Sequence, residues 1–206
     1  MPLELQPATE ADARRSVDIE GEAYGPNPFT PILFPTPLVP GAKDFRVAEL
    51  AKELREDKTS LWLKVVDTDL EGEQMIAFAK WNVCTEKLVP APPRKFPSNC
   101  NVEACELLFG TIAKQRVKHV GDRPHLCLRL LHTDPKHQGR GAGTMLIKWG
   151  VQEAKKRNLP AYLESSPDGH ELYKRCGFHD AELVEIDLSK WGATEMHKTW
   201  SMVCDP

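Results

Sequence analysis

The feature that most constrains this fold is an apolar run that leads into a glycine-rich loop and then a helical pattern. Residues 125–133, HLCLRLLHT, are typical of a central strand buried on both faces. The loop that follows, QGRGAG at 138–143, has glycine at alternate positions. The next segment has the apolar spacing of one helix face, formed by Met145, Leu146, Trp149 and Ala154. The pattern predicts a strand, a turn and a helix at the centre of an α/β domain.

The glycine loop is suited to an anionic group, because backbone NH groups and the helix dipole both favour negative charge at a helix N-terminus. Pyrophosphate is a natural ligand, and Arg140 and Lys136 could add positive charge. A turn that binds nothing is the alternative. A P-loop is excluded, because Gly143 and Thr144 are not accompanied by the lysine of GxxxxGK[ST].

A Rossmann dinucleotide site is a further alternative. Glu164 ends the next strand about where an acid would meet a ribose hydroxyl. However, Gly139, Gly141 and Gly143 form G-x-G-x-G, whereas the dinucleotide fingerprint is G-x-G-x-x-G. Only one further helix is predicted after Glu164, which is too little chain for a doubly wound sheet.

The rest of the chain reads as one domain over residues 1–206. Alternating or apolar segments predict strands, and 3.6-residue periodicity predicts helices. The predicted order is strand 3–6, a helix after Thr9, helix 43–57, a hairpin around DLEGE, helix 101–119, strand 125–133, the helix after the loop, strand PAYLES, a short helix that ends at Gly177, and two strands. Two proline-rich stretches, 26–40 and 88–99, cannot form regular helices; the first has apolar residues that predict docking against the core.

Composition excludes several classes of partner. The net charge of -3, without a dense basic block, gives no reason to expect nucleic acid or an anionic membrane. The six cysteines form no CxxC pair, so neither a zinc site nor a disulfide framework is favoured. Without a signal-peptide pattern or an apolar run of about 20 residues, the chain is expected to be soluble and cytoplasmic.

Two motifs resemble those of the GNAT N-acetyltransferases. LRLLHTDPKHQGRGAGTMLIKWG is similar to the acetyl-CoA motif Q/R-x-x-G-x-G/A, and LESSPDGHELYKRCGF resembles the second motif, with its tyrosine and terminal Gly-Phe. The resemblance covers residues 125–180 closely and includes the fungal-type small-molecule branch. It implies a GNAT fold: a mixed, mostly antiparallel sheet of about seven strands with a splayed central parallel pair, flanked by helices. The helix at 101–119 departs from the minimal family pattern.

The same resemblance implies the residues that bind acetyl-CoA as cosubstrate. Backbone groups of Leu131 and Thr133 would meet the thioester and pantetheine. Ser166 occupies a position that is often asparagine in the family, although it could instead cap the helix. The loop contacts would come from Gln138, Gly139, Arg140, Gly141, Ala142, Gly143 and Thr144.

Acetyl transfer requires a neutral amine, and deprotonating an alkylamine at pH 7 costs about 4.6 kcal/mol. A base is therefore expected near the acceptor. By resemblance, His125 lies where some family members place a catalytic carboxylate, and Tyr173 matches the tyrosine aimed at the sulfur. Both could instead have structural roles. Other candidates for proton handling, which spacing does not rank, are Glu164, Asp134, His132 and His170.

The resemblance implies an enzyme that transfers acetyl from acetyl-CoA to a primary amine of a small molecule. The proline-rich stretches 26–40 and 88–99 would form the acceptor-side walls. A protein or peptide acetyltransferase and a non-catalytic acyl-CoA-binding sensor remain alternatives. A dinucleotide oxidoreductase is a more distant alternative. No metal is expected, and a homodimer is left open.

Overall fold

The computed structural model describes residues 2–25, 27–35, 40–85, 96 and 100–206. Its centre is one seven-stranded sheet in the order β1-β2-β3-β4-β5-β7-β6. Every neighbouring pair is antiparallel except β4 and β5, which are parallel. The strands β1 to β7 are Leu3–Pro7, Ser60–Asp67, Met75–Cys84, His125–Thr133, Ala161–Ser165, His179–Ile186 and His197–Cys204. This is the predicted α/β fold, with the predicted single parallel pair.

Helices cover both faces of the sheet. The helices α1 to α6 are Ala13–Tyr24, Thr30–Leu33, Ala42–Glu56, Val102–His119, Ala142–Lys156 and Pro167–Arg175. One face is covered by α5, whose buried side chains pack on β2 to β5, while α6 contacts β5 and β7. The opposite face carries two separate groups: α1 and α3 over β3 and β4, and α2 and α4 over β6 and β7. In the sheet order, β5 lies between the strands that these two groups cover.

The segment that motivated the fold prediction forms as expected. The apolar run is strand β4 and the glycine loop leads into α5 at Ala142. Leu126 and Leu128 of the strand pack in one core cluster with Leu146 and Ile147 of the helix. Burial of this apolar face is the main driving force for the α5 side of the domain.

The helix at 101–119 is confirmed as α4, which begins at Val102 because the Asn101 side chain accepts a hydrogen bond from the Ala104 amide. The first proline-rich stretch differs in part from the prediction. It docks on the core as expected, but it also contains the single helical turn α2, since Pro31 lies in the first turn, where no amide donor is needed. Phe29 and Leu33 are buried in one cluster with Leu108 of α4.

Most of the second proline-rich stretch lies outside the described residues. The described residues do not include residue 26, residues 36–39, or any of 88–99 except Phe96. The predicted acceptor-side walls therefore lie partly outside the described residues. None of the helices within the described residues combines the length and apolar composition needed to cross a bilayer.

Candidate active site

Strands β4 and β5 separate soon after they begin. Their parallel register contains only Leu126 with Ala161 and Cys127 with Tyr162, although β4 continues to Thr133. A bulge in β4 accompanies the divergence, because β3 pairs with Leu130 and then Leu128 and omits the residue between them. The result is a wedge-shaped opening between the two strands at the centre of the sheet.

The opening leaves backbone groups of β4 without a strand partner. The Asp134 amide donates to Ile76 on β3, so by the alternation of a strand the peptide groups of Leu131 and Thr133 point to the opposite side, toward β5. β5 does not pair with either residue. Polar backbone groups are therefore presented to the opening, at the two positions where the thioester and pantetheine were expected.

The glycine loop lies directly after this strand end. Gly139 and Gly141 have φ values of 74° and 94°, a left-handed conformation that strongly favours glycine. Within the described part of the chain, no backbone NH of residues 138–144 has a hydrogen-bond acceptor. These NH groups precede and begin α5, so they offer unsatisfied donors at the positive end of a helix dipole. The residues present fit a pyrophosphate group.

Arg140 has a second role that its sequence position does not reveal. Its Nη2 atom lies 2.6 Å from Oδ2 of Asp67, at the end of β2, and its Nη1 atom contacts Nδ1 of His137 at 2.9 Å. The Asp67 side chain is almost completely buried. Arg140 thus fastens the loop to the sheet, and its backbone NH remains among the unbonded donors.

The remaining loop residues surround the same site. The Gln138 side chain reaches the Thr133 carbonyl at 3.4 Å, Ala142 is buried at the start of α5, and Thr144 is half-buried in its first turn. A Cβ on Gly143 would lie 3.4 Å from the Leu172 side chain. Ser166 precedes α6 as its N-cap residue but makes no side-chain capping bond, so its exposed hydroxyl is available to a ligand.

Tyr173 lies on α6 with a buried ring and a phenol that makes no hydrogen bond within the described residues. Burial raises the pKa of Tyr173, and the nearby Tyr24 phenol raises it further. A Cβ on Gly169, one turn earlier, would lie 2.7 Å from the Tyr173 ring. Glycine at 169 therefore makes room for this ring. The protonated phenol is a free donor.

Tyr24, at the end of α1, reaches the opening from the other face. Its hydroxyl donates to the Leu131 carbonyl at 2.7 Å. This contact links α1 to the end of β4 on the side where β4 has no strand partner. Nothing in its sequence position distinguishes Tyr24 from an ordinary apolar residue of a helix face.

Glu164, on β5, forms a largely buried ion pair with Arg116 of α4. The Arg116 Nη2 atom lies 2.8 Å from Glu164 Oε2, and the two side chains are only 16% and 11% exposed. Although burial opposes its charge, the Glu164 carboxylate raises the pKa of Arg116 above its ordinary value. The second carboxylate oxygen, Oε1, is buried and has no hydrogen-bond partner among the described residues.

The strand register relates Glu164 to the strand end. Tyr162 lies opposite Cys127 in the last β4–β5 pair, and beyond it Glu164 is two residues further along β5 and Leu131 four residues further along β4. His125 instead begins β4, six residues or about 20 Å before Leu131. Of these two candidates for the base, Glu164 lies beyond the last β4–β5 pair, where the strands open, and His125 lies before the first pair.

His125 is completely buried, and its Nδ1 atom donates to the Arg123 carbonyl at 2.8 Å. Burial lowers the pKa of His125 by more than the hydrogen bond to the Arg123 carbonyl raises it, so the imidazole is neutral near pH 7. Its Nε2 atom is buried and lacks a hydrogen-bond partner among the described residues.

The other candidates for proton handling have partners elsewhere. His132 contacts Ser16 Oγ at 3.0 Å under α1, and burial lowers its pKa to about 4. Asp134 forms an ion pair with Arg15. The His170 ring stacks on Trp200, and its Nε2 atom contacts Asp180 at 2.7 Å. Across the described ranges, no three or more His, Cys, Asp or Glu side chains form a potential metal site.

The sequence profile of the acetyltransferase (GNAT) family matches residues 44–178, which is well over half of the chain. The chain belongs to this family. It is therefore an acyltransferase, and the GNAT family generally uses acetyl-CoA as cosubstrate. The match includes the glycine loop, Glu164 and Tyr173, whereas Tyr24 lies before it.

Solved GNAT structures share the fold over the full chain. A histone acetyltransferase HPA2 and related acetyltransferase from Corynebacterium glutamicum is 22% identical with a TM-score of 0.63, covering 100% of this chain and 97% of its own. A mosquito arylalkylamine N-acetyltransferase like 5b is 12% identical with a TM-score of 0.66, covering 100% of both chains. A chimera of the Vibrio cholerae spermidine N-acetyltransferase SpeG and hSSAT is 14% identical with a TM-score of 0.59, covering 100% and 96%. At these identities the likeness shows the fold.

Proposed function

We propose that this GNAT protein transfers an acetyl group from acetyl-CoA to a primary amine of a small molecule by direct attack of the amine on the thioester. One observation carries the proposal: the unbonded backbone amides of Leu131 and Thr133 lie on the strand that leads into a loop whose NH groups at 138–144 are also unbonded. They form two groups of donors near the same strand end, one suited to a thioester carbonyl and the other to a pyrophosphate.

The chain's own residues divide the binding task. The amides of residues 138–144 would hold the pyrophosphate, and the exposed Ser166 hydroxyl could add a contact. Leu131 and Thr133 would orient the thioester and pantetheine. When bound, acetyl-CoA supplies an activated acetyl group and a thiol leaving group. The Leu131 amide, fixed by strand β4, would donate toward the carbonyl oxygen where negative charge develops.

Glu164 is the proposed proton acceptor. Its buried Oε1 atom lacks a partner among the described residues, and it lies on β5 just beyond the last β4–β5 pair, where the two strands open. A bridging water would relay the proton from the acceptor amine to this oxygen. We assign the role to Glu164 rather than His125, because His125 lies about 20 Å from Leu131.

Tyr173 is the proposed donor to the leaving sulfur. A phenol with a raised pKa cannot easily give up its proton, but it can donate a hydrogen bond that stabilises the developing thiolate. Tyr173 approaches from α6 and Tyr24 from α1, so both side chains flank the β4 strand end.

A thiol-release assay with acetyl-CoA and a panel of amines tests the proposed reaction. Arylalkylamines, polyamines, amino acids and peptides should be compared, since the relatives' names include both small molecules and a histone. We expect turnover with a small amine. Turnover only with peptides would favour a protein acetyltransferase, stabilisation by acetyl-CoA without turnover a sensor, and stabilisation by a dinucleotide alone would contradict the proposal.

Replacing Gly141 with valine should raise the KM for acetyl-CoA. At φ 94° a β-branched residue is strained by about 1–3 kcal/mol, so the loop would relax and lose the alignment of its NH groups. A Cβ at this position meets no atom within 4 Å, so the effect comes from the backbone. Steady-state kinetics measure it. Gly72→Val is the matched control: it has φ 77° and equally open space, but it lies in the β2–β3 turn and should leave KM unchanged.

Tyr173→Phe should lower kcat by roughly 10- to 100-fold, which corresponds to losing a hydrogen bond to a charged group. The KM for acetyl-CoA and the melting temperature should stay near wild type, because the phenol makes no hydrogen bond within the described part of the chain. Steady-state kinetics measure kcat and KM, and thermal unfolding measures the melting temperature. Equal kcat values for Tyr173→Phe and the wild type would indicate that Tyr173 only packs against Phe178.

A further inference from the structure

We propose that Arg116 of α4 is a positioning residue that holds one carboxylate oxygen of Glu164 and leaves the other open to the acceptor amine or its bridging water. The inference rests on the proposed role of Glu164 as the base. It assigns a function to a helix that departs from the minimal family pattern.

The geometry of the ion pair differs from that of a structural pair in the same protein. Arg46 binds both oxygens of Glu20, through Nε at 3.0 Å and Nη2 at 2.9 Å. Arg116 instead contacts only Oε2 of Glu164, through Nη2 at 2.8 Å. Both Arg116 Nε and Glu164 Oε1 are left buried without a partner in the described residues.

Unsatisfied buried atoms normally cost stability, and an arginine and a carboxylate can remove that cost by a two-point contact. The Arg116 pair does not adopt this arrangement, although the Arg46 pair does. A ligand or water that donates a hydrogen bond to Glu164 Oε1 would satisfy this oxygen. An amine, which approaches with N–H donors, has the matching chemistry.

Arg116 also provides the local positive charge. The other ionisable groups near Glu164 come from β4 and β5: His125, Cys127 and Tyr162. Burial lowers the pKa of His125 and raises the pKa values of Cys127 and Tyr162, so all three are neutral near pH 7. Burial likewise raises the pKa of Cys84, which lies beside Cys127. Within the described residues, Arg116 is thus the cation that balances the Glu164 carboxylate.

This balance has a consequence for the acceptor. A lone buried carboxylate would stabilise an entering ammonium ion and hinder loss of its proton. A carboxylate already paired with a guanidinium stabilises the ammonium less, so the neutral amine is favoured. Arg116 therefore limits how strongly the site holds the charged form of the acceptor, in addition to orienting the base.

The test compares full-length wild type, R116M, R116K, E164Q and R116M/E164Q, using acetyl-CoA and an amine accepted in the thiol-release assay. Turnover is measured from about pH 6 to about pH 9. The matched control is K118M, in the same turn of α4, whose partner Glu182 lies on β6. Thermal unfolding of each protein reports whether it is folded.

We expect R116M to lower kcat about 100-fold at unchanged KM for acetyl-CoA. The acid limb of the pH–rate profile, which is the part where the rate falls as the pH is lowered, should move to higher pH. R116K should keep the acid limb in place, because the positive charge remains. R116M should have no further effect in the E164Q background, since both changes disable the same base. K118M should match wild type.

The inference is overturned if R116M keeps the wild-type kcat and acid limb, or if R116M slows E164Q as much as it slows wild type. Should R116M fail to fold, R116K decides: an acid limb displaced despite the retained charge contradicts the role. These outcomes are distinct from failure of the proposed function, in which the wild-type protein releases no thiol with any amine.

Discussion

Glu164→Gln is expected to lower kcat by about 100- to 10,000-fold, the range that a positioned general base contributes. Glutamine keeps the size of the side chain but cannot accept the proton of an ammonium ion. At pH 7 the reaction would then draw only on the small fraction of free amine, whose formation costs about 4.6 kcal/mol for an alkylamine. The KM for acetyl-CoA should change little, because the donor site is built from Leu131, Thr133 and residues 138–144.

The pH profile gives this variant a specific signature. Without an internal base, the rate should rise about tenfold per pH unit until the amine itself is deprotonated in solution. Two variants serve as controls. Glu182→Gln removes a different carboxylate that is also paired with α4, and His125→Asn removes the distant alternative base. Both variants should keep a kcat close to that of the wild type. A fall with His125→Asn but not with Glu164→Gln would reverse our assignment.

Gly150→Ala is expected to lower the free energy of unfolding by about 3 kcal/mol, or the melting temperature by roughly 6–12 °C. A Cβ at this position would lie 2.1 Å from Cζ2 of Trp81 and 2.2 Å from Cε2. The Trp81 ring is fully buried between β3 and α5, so it has no open space to move into. Alanine therefore forces the helix and the sheet apart.

Gly110→Ala provides the matched control for this prediction. Gly110 is also inside a helix, α4, but an added Cβ there meets no atom within 4 Å. It should stabilise the protein by about 0.5–1 kcal/mol, because alanine loses less backbone entropy than glycine in a helix. Urea or thermal unfolding measures both variants. If Gly150→Ala is as stable as wild type, the close packing of α5 on Trp81 is wrong; in a Trp81→Phe background, the penalty should shrink.

Local patterns predicted much of the architecture. The apolar run and the helical spacing of the next segment are local properties, and β4 and α5 appear where those patterns place them. The left-handed glycines of the loop are equally local, since φ restrictions apply residue by residue. The one helical turn at α2 was missed, because the prolines that prevent a long helix are tolerated in its first turn.

The site was predictable only where it follows the chain. Leu131, Thr133 and the loop at 138–144 are consecutive, so one motif suggested them together. Tyr24 and Arg116 had no such signal. Tyr24 ends an amphipathic helix, and Arg116 lies among Lys118 and His119 in a last turn where basic residues are common. Nothing local marks which of these side chains points into the sheet.

The sequence by itself determined the order and type of the central elements and the family motifs, because hydrophobic period, glycine spacing and helix caps act over a few residues. Only the tertiary structure decided what each polar side chain meets. The divergence of β4 from β5, the distance that separates His125 from Leu131, and the pairing of Glu164 with Arg116 across 48 positions all depend on how distant segments pack. Packing determines which groups surround a residue and how far it is removed from water. These two factors determine whether the residue can act as a base, as a hydrogen-bond donor or as a link between distant segments.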